Sequence, residues 1–276
     1  MMDDLSPQAF TFLTKVIYQH SRIRLGPDRT AFVSGRLTQR LRELGCSSYD
    51  EYCHLIDSSK NNREIECLVD LISTNHTQFF REPEHFSILA KQSLPSVVPK
   101  HIRNRKELRV WCAAAASGEE AYSLAIVISE YLRLTAMPWT IVASDISHRM
   151  LDHCRLGIYE VAKVQLPHSK LLPHYFLRGV GTRNGFYRVK RELRDHVIVK
   201  TINLFQPTYP IQNRQDVIFC RNVMIYFDKE SRQLLVDKLF DQMNPGGFLF
   251  IGHSESLLGL HHLFQQIGPS VYQRPE

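Results

Sequence analysis

The chain has 276 residues, of which 43% are apolar and 22% charged, with a formal net charge of +6. This composition supports a sizeable core and excludes wholesale disorder, and the length predicts two domains or one large domain with an insertion. No apolar run approaches the roughly 20 residues that a membrane-spanning helix needs. The six cysteines show no Cys-x-x-Cys spacing, and the first residues are acidic, unlike a secretory leader. We therefore expect reduced thiols, a cytoplasmic location and no membrane insertion.

The positive charge lies in three short stretches of the chain. Residues 22–42, 100–109 and 178–200 carry net charges of +5, +4 and +5, so the remainder is net −8. The protein is therefore patchily basic on a mildly acidic body, which weakens the case for a nucleic-acid partner.

The first 90 residues contain only helical patterns. Ser6 precedes a proline at the first helical position, which is a typical helix start. Gly45 follows the second helix as a typical terminating glycine, and Ser48 with Glu51 matches a capping box. The predicted helices begin near residue 7, cover about 28–44, begin near 49, and cover about 63–72 and 83–90.

From Leu108 onward, short apolar strands alternate with helices. This alternation predicts an α/β fold, with a mainly parallel sheet and helices on both faces. The stretch around Asn184-Gly185 differs, because Asn-Gly is a strong hairpin signal, and it predicts a small antiparallel insertion. The predicted strands lie around 108–112, 139–143, 197–201, 216–220 and 248–251, and the main helices cover about 119–134, begin near 148, and cover about 229–243.

A run of small residues, 113–118, joins the first strand to an apolar helix. Small side chains let the backbone approach a ligand, and a doubly wound sheet binds nucleotides beyond the carboxyl ends of its strands. Neither Gly-x-Gly-x-x-Gly nor a Walker A motif is present, which favours a ligand without a pyrophosphate, such as S-adenosylmethionine (SAM). Alternatively, these residues only let the helix pack on the sheet.

Two carboxylates flank this turn. Asp145 ends the second strand, where nucleoside-binding folds place an acid for the ribose hydroxyls; alternatively it caps the next helix. Glu120 lies in the first turn of the apolar helix, where it either contacts the ligand or closes a capping box with Ser117.

Two further segments carry polar side chains at positions suited to chemistry. Residues 219–228 deliver Asn222 to the end of a buried strand, followed by Tyr226. The prolines of the Asn-Pro-Pro-Tyr turn that base-amine methylating enzymes use are absent, which argues against a base amine as the acceptor. Alternatively, this segment is an ordinary strand end. Residues 74–82 interleave Arg81, a permanently charged donor fork, with a phenylalanine pair, or form a plain solvated linker.

Metal and nucleophile chemistry is not indicated. The 13 histidines include no His-Glu-x-x-His and no His/Cys spacing suited to zinc, and no Gly-x-Ser-x-Gly elbow exists. We expect no metal site from the sequence.

Taken together, these segments closely resemble the chemotaxis-receptor glutamate O-methyltransferases, the CheR family. The resemblance implies an all-α receptor-docking domain at 1–82, a linker and connecting helix at 83–107, and a Rossmann-like SAM-dependent methyltransferase domain at 108–276 with a β-subdomain at about 167–196. It also implies methyl transfer to receptor glutamates, forming γ-methyl esters. The segments that carry it are 73–82, 117–125, 143–145, 219–228 and 252–256.

The resemblance also assigns roles to individual residues. Arg81 and Tyr226 match the proposed catalytic pair of the family. One departure is Ala116, where the family commonly has serine before Thr-Gly-Glu-Glu; Ser117 retains a hydroxyl. The implied cofactor-binding residues are Asn75, Thr77, Arg81, Glu120, Asp145, Asn203, Leu204, Arg221 and Asn222.

Partners follow from charge and from the resemblance. At 100° per residue, Arg29, Arg36 and Arg40 fall within about 40° of one another on a helical wheel, beside an apolar stripe. This face could dock the acidic, glutamate-bearing helix of a methyl-accepting chemotaxis receptor, or it is a solvated flank of a core helix. We expect a monomer that binds the cytoplasmic domain of the receptor and no nucleic acid.

Overall fold

A computed structural model describes residues 4–58 and 62–276, and the chain divides into two compact units. The smaller unit comprises the residues up to Thr74 together with Tyr226–Arg232, and the larger comprises Asn75–Ile225 with Gln233–Glu276. The boundary therefore falls eight residues before the predicted end at 82. Of the acidic start of the chain at 1–4, the first three residues lie outside the described residues.

In its described residues, the smaller unit has four α-helices packed around one apolar core. The side chains that recur at helical spacing, such as Leu13, Leu37, Tyr52 and Leu68, are fully buried, as expected for amphipathic helices. A single 3₁₀ turn, Pro27–Arg29, precedes the second helix. The helices are α1 (Pro7–Ser21), α2 (Thr30–Leu44), α3 (Tyr49–Ser58) and α4 (Asn62–Ile72).

The ends of these helices follow the sequence signals. Ser6 Oγ accepts the Ala9 amide at 3.1 Å, and Gly45 ends α2 with φ +71°. Ser48 Oγ accepts the Glu51 amide at 3.2 Å. In a capping box, the Glu51 carboxylate would accept the Ser48 amide. Here it accepts the amide of the preceding residue, Ser47.

In the larger unit, the helix predicted at 83–90 continues much further. It comprises α5 (Pro83–Ile88), a π-helical turn (Leu89–Ser93) and α6 (Leu94–Asn104). Pro95 near the start of α6 and Pro99 inside it mask this continuation in the sequence, since proline normally ends a helix. The π-helical turn between α5 and α6 is one of the usual distortions at which a long helix bends.

A seven-stranded sheet forms the centre of the larger unit. Its strand order is β6-β2-β1-β7-β8-β10-β9. The first five strands in that order run parallel, and β10 is antiparallel to both of its neighbours. The strands are β1 (Leu108–Ala113), β2 (Trp139–Asp145), β6 (Val197–Thr201), β7 (Gln215–Cys220), β8 (Met243–Phe250), β9 (Gln265–Gly268) and β10 (Val271–Gln273).

The predicted antiparallel insertion is present as a separate three-stranded sheet of order β3-β5-β4. The hairpin of β4 and β5 surrounds Asn184-Gly185 as predicted, and β3, which precedes the expected insertion, adds a third strand. The strands are β3 (Ile158–Glu160), β4 (Phe176–Arg178) and β5 (Phe186–Val189).

Helices complete the larger unit and connect its parallel strands. They are α7 (Glu119–Leu132), α8 (His148–Leu156), α9 (Leu171–Tyr175), α10 (Arg191–Arg194) and α11 (Lys229–Asp241), whose first turn belongs to the smaller unit. The central strands are buried along their length, as Val217 and Phe219 illustrate, because helices cover a parallel sheet. In the part of the chain that the structure describes, no helix is long and apolar enough to cross a bilayer.

Candidate active site

The carboxyl ends of the parallel strands bring the predicted site residues to one edge of the sheet. Ala113 of β1 pairs with Ser144 of β2 on one side and with Cys220 of β7 on the other. The next residues along these three strands are therefore neighbours in space. This is the edge at which doubly wound sheets bind nucleotides.

The turn after β1 is held in an unusual backbone conformation. Ala114 and Ala116 have φ of +64° and +47°, which side chains larger than glycine adopt at a cost. Ala116 N donates to Asp145 Oδ2 at 2.8 Å. Gly118 has φ +99°, and a Cβ there would lie 2.6 Å from Cys154 Sγ. The turn thus carries only small side chains, which let its backbone approach this edge of the sheet closely.

Asp145 does not cap the helix that follows it. Ser147 is the N-cap of α8, and its hydroxyl accepts the Met150 amide at 3.1 Å. Asp145 Oδ1 instead accepts the Ser147 amide at 3.0 Å. The carboxylate is therefore fixed at the end of β2 between the alanine turn and the start of α8.

Arg221, the residue after β7, is the buried cation of the site. Its side chain is only 1% exposed. Nη1 donates to Glu120 Oε2 at 2.8 Å, and Nη2 lies 2.9 Å from Glu82 Oε2. The guanidinium also lies over the Phe86 ring. One permanent positive charge thus faces two carboxylates in a dry environment, where such pairing is required.

Glu120 serves as a partner of Arg221 and not as a helix cap. Helix α7 starts at Gly118 without a side-chain cap, and Cys112 Sγ donates to Glu120 Oε1 at 3.3 Å. Burial raises the pKa of Glu120, and the charge of Arg221 opposes that rise.

Glu82 belongs to the same cluster, although the sequence assigned it no role. Its backbone is left-handed, with φ +59°, and its carboxylate accepts Asn222 Nδ2 at 3.1 Å and the His253 amide at 3.1 Å. Burial alone would raise the pKa of Glu82, but the hydrogen bond from Asn222 and the charge of Arg221 outweigh it, so the pKa is lowered. The one signal available was its position directly after Arg81.

The segment that carries Arg81 is anchored by its phenylalanine pair and is not a plain solvated linker. Phe79 is buried, with its ring centroid 5.0 Å from that of Tyr159. The Phe80 amide donates to Ser123 Oγ at 3.0 Å. Arg81 is tied through its backbone, because Arg221 Nη2 donates to the Arg81 carbonyl at 2.6 Å.

The side chains of this segment are less constrained than its backbone. Arg81 Nη1 donates to the His76 carbonyl at 2.9 Å, which uses one of the five guanidinium donors. Asn75 and Thr77 are half-buried, and within the described ranges neither side chain makes a hydrogen bond to the protein.

Asn203 and Leu204 follow β6, the neighbour of β2. Asn203 Oδ1 accepts the Phe205 amide at 2.9 Å, which closes a local turn, and the Leu204 carbonyl accepts the Tyr209 hydroxyl at 2.6 Å. The Ile202 amide donates to the Asp145 carbonyl at 3.0 Å. This turn therefore adjoins the end of β2.

The loop after β7 is supported by a second residue without an assigned role, Glu255. Its carboxylate accepts the amides of Asn222 at 2.9 Å and Met224 at 2.7 Å. Asn222 itself is left-handed, with φ +56°. Burial raises the pKa of Glu255 against these backbone hydrogen bonds.

Tyr226 belongs to the smaller unit, in contrast to the predicted domain division. It ends the 3₁₀ turn Met224–Tyr226 and is half-buried. Its carbonyl accepts the Arg24 amide at 3.0 Å, and the Tyr18 hydroxyl donates to Asp228 at 2.6 Å. These two bonds tie the loop to the helices of the smaller unit.

The three arginines of the predicted docking face differ in their environments. Arg29 and Arg36 are exposed. Arg40 is paired with Glu64, with Nη2 2.5 Å from Oε2, and Glu64 also accepts the Tyr52 hydroxyl at 2.9 Å. Arg40 is therefore engaged in an internal ion pair, and Arg36 is the exposed charge of α2 on that face.

Comparison with known families accounts for both units. Residues 75–272 match the family model for the SAM-binding domain of CheR methyltransferase, and residues 8–73 match the all-alpha CheR methyltransferase domain. The chain belongs to the CheR methyltransferase family. The predicted fold class, an α/β methyltransferase domain preceded by an all-α domain, is thereby confirmed.

Relatives from several bacteria match this chain over nearly its full length. The chemotaxis protein methyltransferase of Salmonella typhimurium is 37% identical over 269 residues, covering 97% of this chain and 90% of that protein. The Escherichia coli protein of the same name is 37% identical, covering 97% and 91%. Chemotaxis protein methyltransferase 2 of Pseudomonas aeruginosa is 38% identical over 256 residues, covering 93% and 89%.

The cofactor of this family, SAM, fits the sheet edge. The turn after β1 presents backbone and methyl groups, Asp145 supplies a carboxylate at the end of β2, and Arg221 with Glu120 supplies opposite charges. These protein groups suit a ligand that has a ribose and a zwitterionic amino-acid end but no phosphate. The predicted cofactor is confirmed, and the individual contacts remain predictions.

Proposed function

We propose that the protein transfers the methyl group of SAM to glutamate side chains on the cytoplasmic helices of a chemoreceptor, forming γ-methyl esters. The observation that carries this proposal is the near-complete match to proteins named chemotaxis protein methyltransferase. The presence of Arg81 and Tyr226 at the positions of the family motifs supports catalysis over a role as a donor-binding adaptor.

The sheet edge supports the assignment of donor contacts. Asp145 is suited to the ribose hydroxyls, because it lies at the end of the second strand. Glu120 and Arg221 are suited to the charged amino-acid end of the donor. The remaining donor contacts are assigned to Asn75, Thr77, Asn203, Leu204 and Asn222.

The reaction requires alignment and no general base. SAM supplies a methyl group that is already electrophilic because it is bonded to a sulfonium. A glutamate carboxylate, with a pKa of about 4.3, is ionised at neutral pH and is already a nucleophile. The protein therefore has to bring one carboxylate oxygen in line with the methyl group and exclude water.

Arg81 and Tyr226 are assigned to that alignment. A guanidinium can hold a carboxylate bidentately, and Arg81 retains donors beyond the one bonded to the His76 carbonyl. Tyr226 can donate one hydrogen bond to the acceptor. Arg81 and Tyr226 must bind the acceptor carboxylate only moderately. The acceptor loses its charge in the product, so strong ground-state binding would raise the barrier to methyl transfer.

The smaller unit is assigned to receptor docking, with the protein acting as a monomer in the cytoplasm. Arg36, an exposed charge on α2, would pair with acidic side chains of the receptor helix, as would Arg29 on the preceding turn. Arg40 contributes by holding Glu64 and α2 in place.

The experiment that tests this proposal compares acceptors. Purified protein is incubated with methyl-labelled SAM and either a chemoreceptor cytoplasmic fragment, the same fragment with its candidate glutamates changed to alanine, or DNA and RNA. We expect label on the unmodified receptor fragment alone. Label on nucleic acid would point to the rival methyltransferase class, and SAM binding without transfer to any acceptor would point to an adaptor.

A further inference from the structure

Three potential metal ligands meet beside the buried ion pairs of the larger unit. His85 Nδ1 lies 3.4 Å from Glu82 Oε2, and His253 Nε2 lies 4.0 Å from the same oxygen. All three ligand atoms lie within 4.8 Å of one another. His85 is fully buried, the Glu82 side chain is 14% exposed, and the His253 side chain is 42% exposed. The cluster is thus enclosed on one side and open on the other.

His85 is a buried imidazole without a satisfactory partner. In the described part of the chain, neither of its ring nitrogens makes a hydrogen bond. The Glu82 carboxylate is close to Nδ1 but is not aligned to accept a hydrogen bond from it. The backbone of Pro269 also faces the ring without meeting hydrogen-bond geometry. A buried polar group in this state requires an explanation, and an ion is one of the few available.

The protonation state of His85 suits a metal ligand. Burial, reinforced by the charge of Arg221, lowers the pKa of His85 to about 4. An imidazole binds a metal through the lone pair of its neutral form. A histidine that ligates a metal usually points its other ring nitrogen at a carboxylate or backbone carbonyl; the backbone of Pro269 faces the ring and would need a small adjustment to accept such a bond.

The ligand set identifies the class of ion. Two imidazoles and one carboxylate, with a position open to solvent, match the three-ligand arrangement of zinc sites that keep a water. Imidazole favours zinc, nickel and copper over magnesium and calcium. Tetrahedral bonds of about 2.0–2.1 Å place ligand atoms about 3.3–3.4 Å apart. Glu82 and His85 already have this spacing, and the exposed His253 needs a small inward shift.

A cation at this position competes with Arg221. Nη2 of Arg221 lies 2.9 Å from Glu82 Oε2, the oxygen that both histidines face. If an ion takes that oxygen, Arg221 still retains its bonds to Glu120 and to the Arg81 carbonyl. We propose that Glu82, His85 and His253 form a binding site for a divalent transition-metal ion of the zinc class, which shares Glu82 with Arg221.

The test uses the full chain and two single-histidine variants. His253→Ala removes the exposed ligand but keeps the backbone amide that donates to Glu82. His261→Ala is the matched control, since His261 is also exposed in the larger unit and its hydrogen bonds, both to Gln233, come from the backbone. Zn²⁺ binding is measured by calorimetry, and Co²⁺ binding by its visible ligand-field absorption.

We expect one Zn²⁺ per chain in the parent and in His261→Ala, and affinity reduced by at least about tenfold in His253→Ala. Bound Co²⁺ should lose its visible band in His253→Ala alone. Absence of Zn²⁺ binding by the parent protein, or equal binding by both variants, would overturn the site. Both measurements are independent of methyl transfer, so they do not depend on the proposed function.

Discussion

Arg221 lies between the buried Glu120 and the half-buried Glu82, two carboxylates whose pKa values move in opposite directions. Burial raises the pKa of Glu120 despite the nearby guanidinium. Glu82 is also penalised by burial, yet hydrogen bonds from Asn222 and the His253 amide, together with Arg221, lower its pKa. The charged form of Glu82 is thus the one that the fold stabilises. Its contribution to stability should depend on pH.

Glu82→Gln should destabilise the protein by about 1–3 kcal/mol at neutral pH, because buried donors lose a charged acceptor. A carboxylate with a lowered pKa stabilises the fold fully above its unfolded value of about 4.3 and loses that contribution as the pH falls through its folded value. The stability gap between parent and variant should therefore be constant from pH 7 to 5 and shrink below about 4.3. Urea unfolding at several pH values measures it.

The matched control for Glu82→Gln is Glu84→Gln, two residues away and exposed. Its effect should stay within about 0.5 kcal/mol. A stability gap for Glu82→Gln that widens on acidification would show that the carboxylate is not stabilised as described.

Arg81→Ala and Tyr226→Phe should lower the single-turnover rate of methyl transfer by about 100-fold, because each removes a group that aligns the acceptor. The affinity for S-adenosylhomocysteine should change much less. Tyr187→Phe, a half-buried tyrosine of β5, serves as the control and should leave both quantities unaltered. A comparable collapse of donor binding in either site variant would refute the assigned roles.

The candidate site residues that the sequence indicated have a recognisable local pattern. Those that the sequence did not indicate are defined by partners far along the chain. Asp145 and Glu120 stand at strand and helix ends, where the pattern itself indicates a ligand. Glu82, His85 and Glu255 acquire their surroundings from Asn222, His253 and other residues far along the chain. Their partners become visible only once the sheet brings β7 and β8 beside the segment that carries Arg81.

Among the structural elements, the turn between β1 and α7 has the tightest steric requirements. Gly118→Ala should cost at least about 2 kcal/mol, because φ +99° is strained for alanine and its Cβ would meet Cys154. Gly35→Ala is the opposite case, since Gly35 lies within α2 with nothing within 4 Å of the added carbon. It should stabilise the protein by about 0.5–1 kcal/mol. Urea midpoints measure both, and equal effects would contradict the conformation of the turn.

Helix α2 is the element assigned to receptor docking. Arg36→Glu should slow receptor methylation by about tenfold at low salt, and added salt should slow the parent towards the variant. Lys15→Glu, an exposed charge reversal on α1, should have little effect. Arg40→Glu is unsuitable, because it would set a like charge against the buried Glu64. A parent rate that is insensitive to salt, together with an unchanged Arg36→Glu, would exclude the docking role.

Element prediction succeeded where a pattern is local and failed where packing decides. The alternation of strands and helices and the Asn184-Gly185 hairpin were predictable from the sequence. The continuation from α5 through the π turn into α6 was missed, because two prolines within it imitate a helix end. Strands β3, β9 and β10 are only three or four residues long, so a hydrophobic period of two residues is difficult to recognise in them.

In the whole molecule, charge and chemistry are divided between the two units. The larger unit matches the SAM-binding domain and carries the sheet edge proposed to hold the donor, with its buried ion pairs; the smaller unit carries the exposed arginines of α2 together with Tyr226. The formal charge of +6 is thus better understood as local patches than as affinity for a polyanion. On the proposed function, the exposed arginines of α2 select an acidic receptor helix, and the sheet edge of the larger unit binds the methyl donor.

The chemical linkage of the transferred methyl group tests this account most directly. A receptor fragment labelled with methyl groups by the enzyme is treated with mild alkali, and volatile methanol is collected. Methyl esters of glutamate should release nearly all of the label, and mass spectrometry of the untreated fragment should place each methyl on a glutamate. Label that survives alkali, or that maps to a lysine or another nitrogen, would contradict glutamate O-methylation.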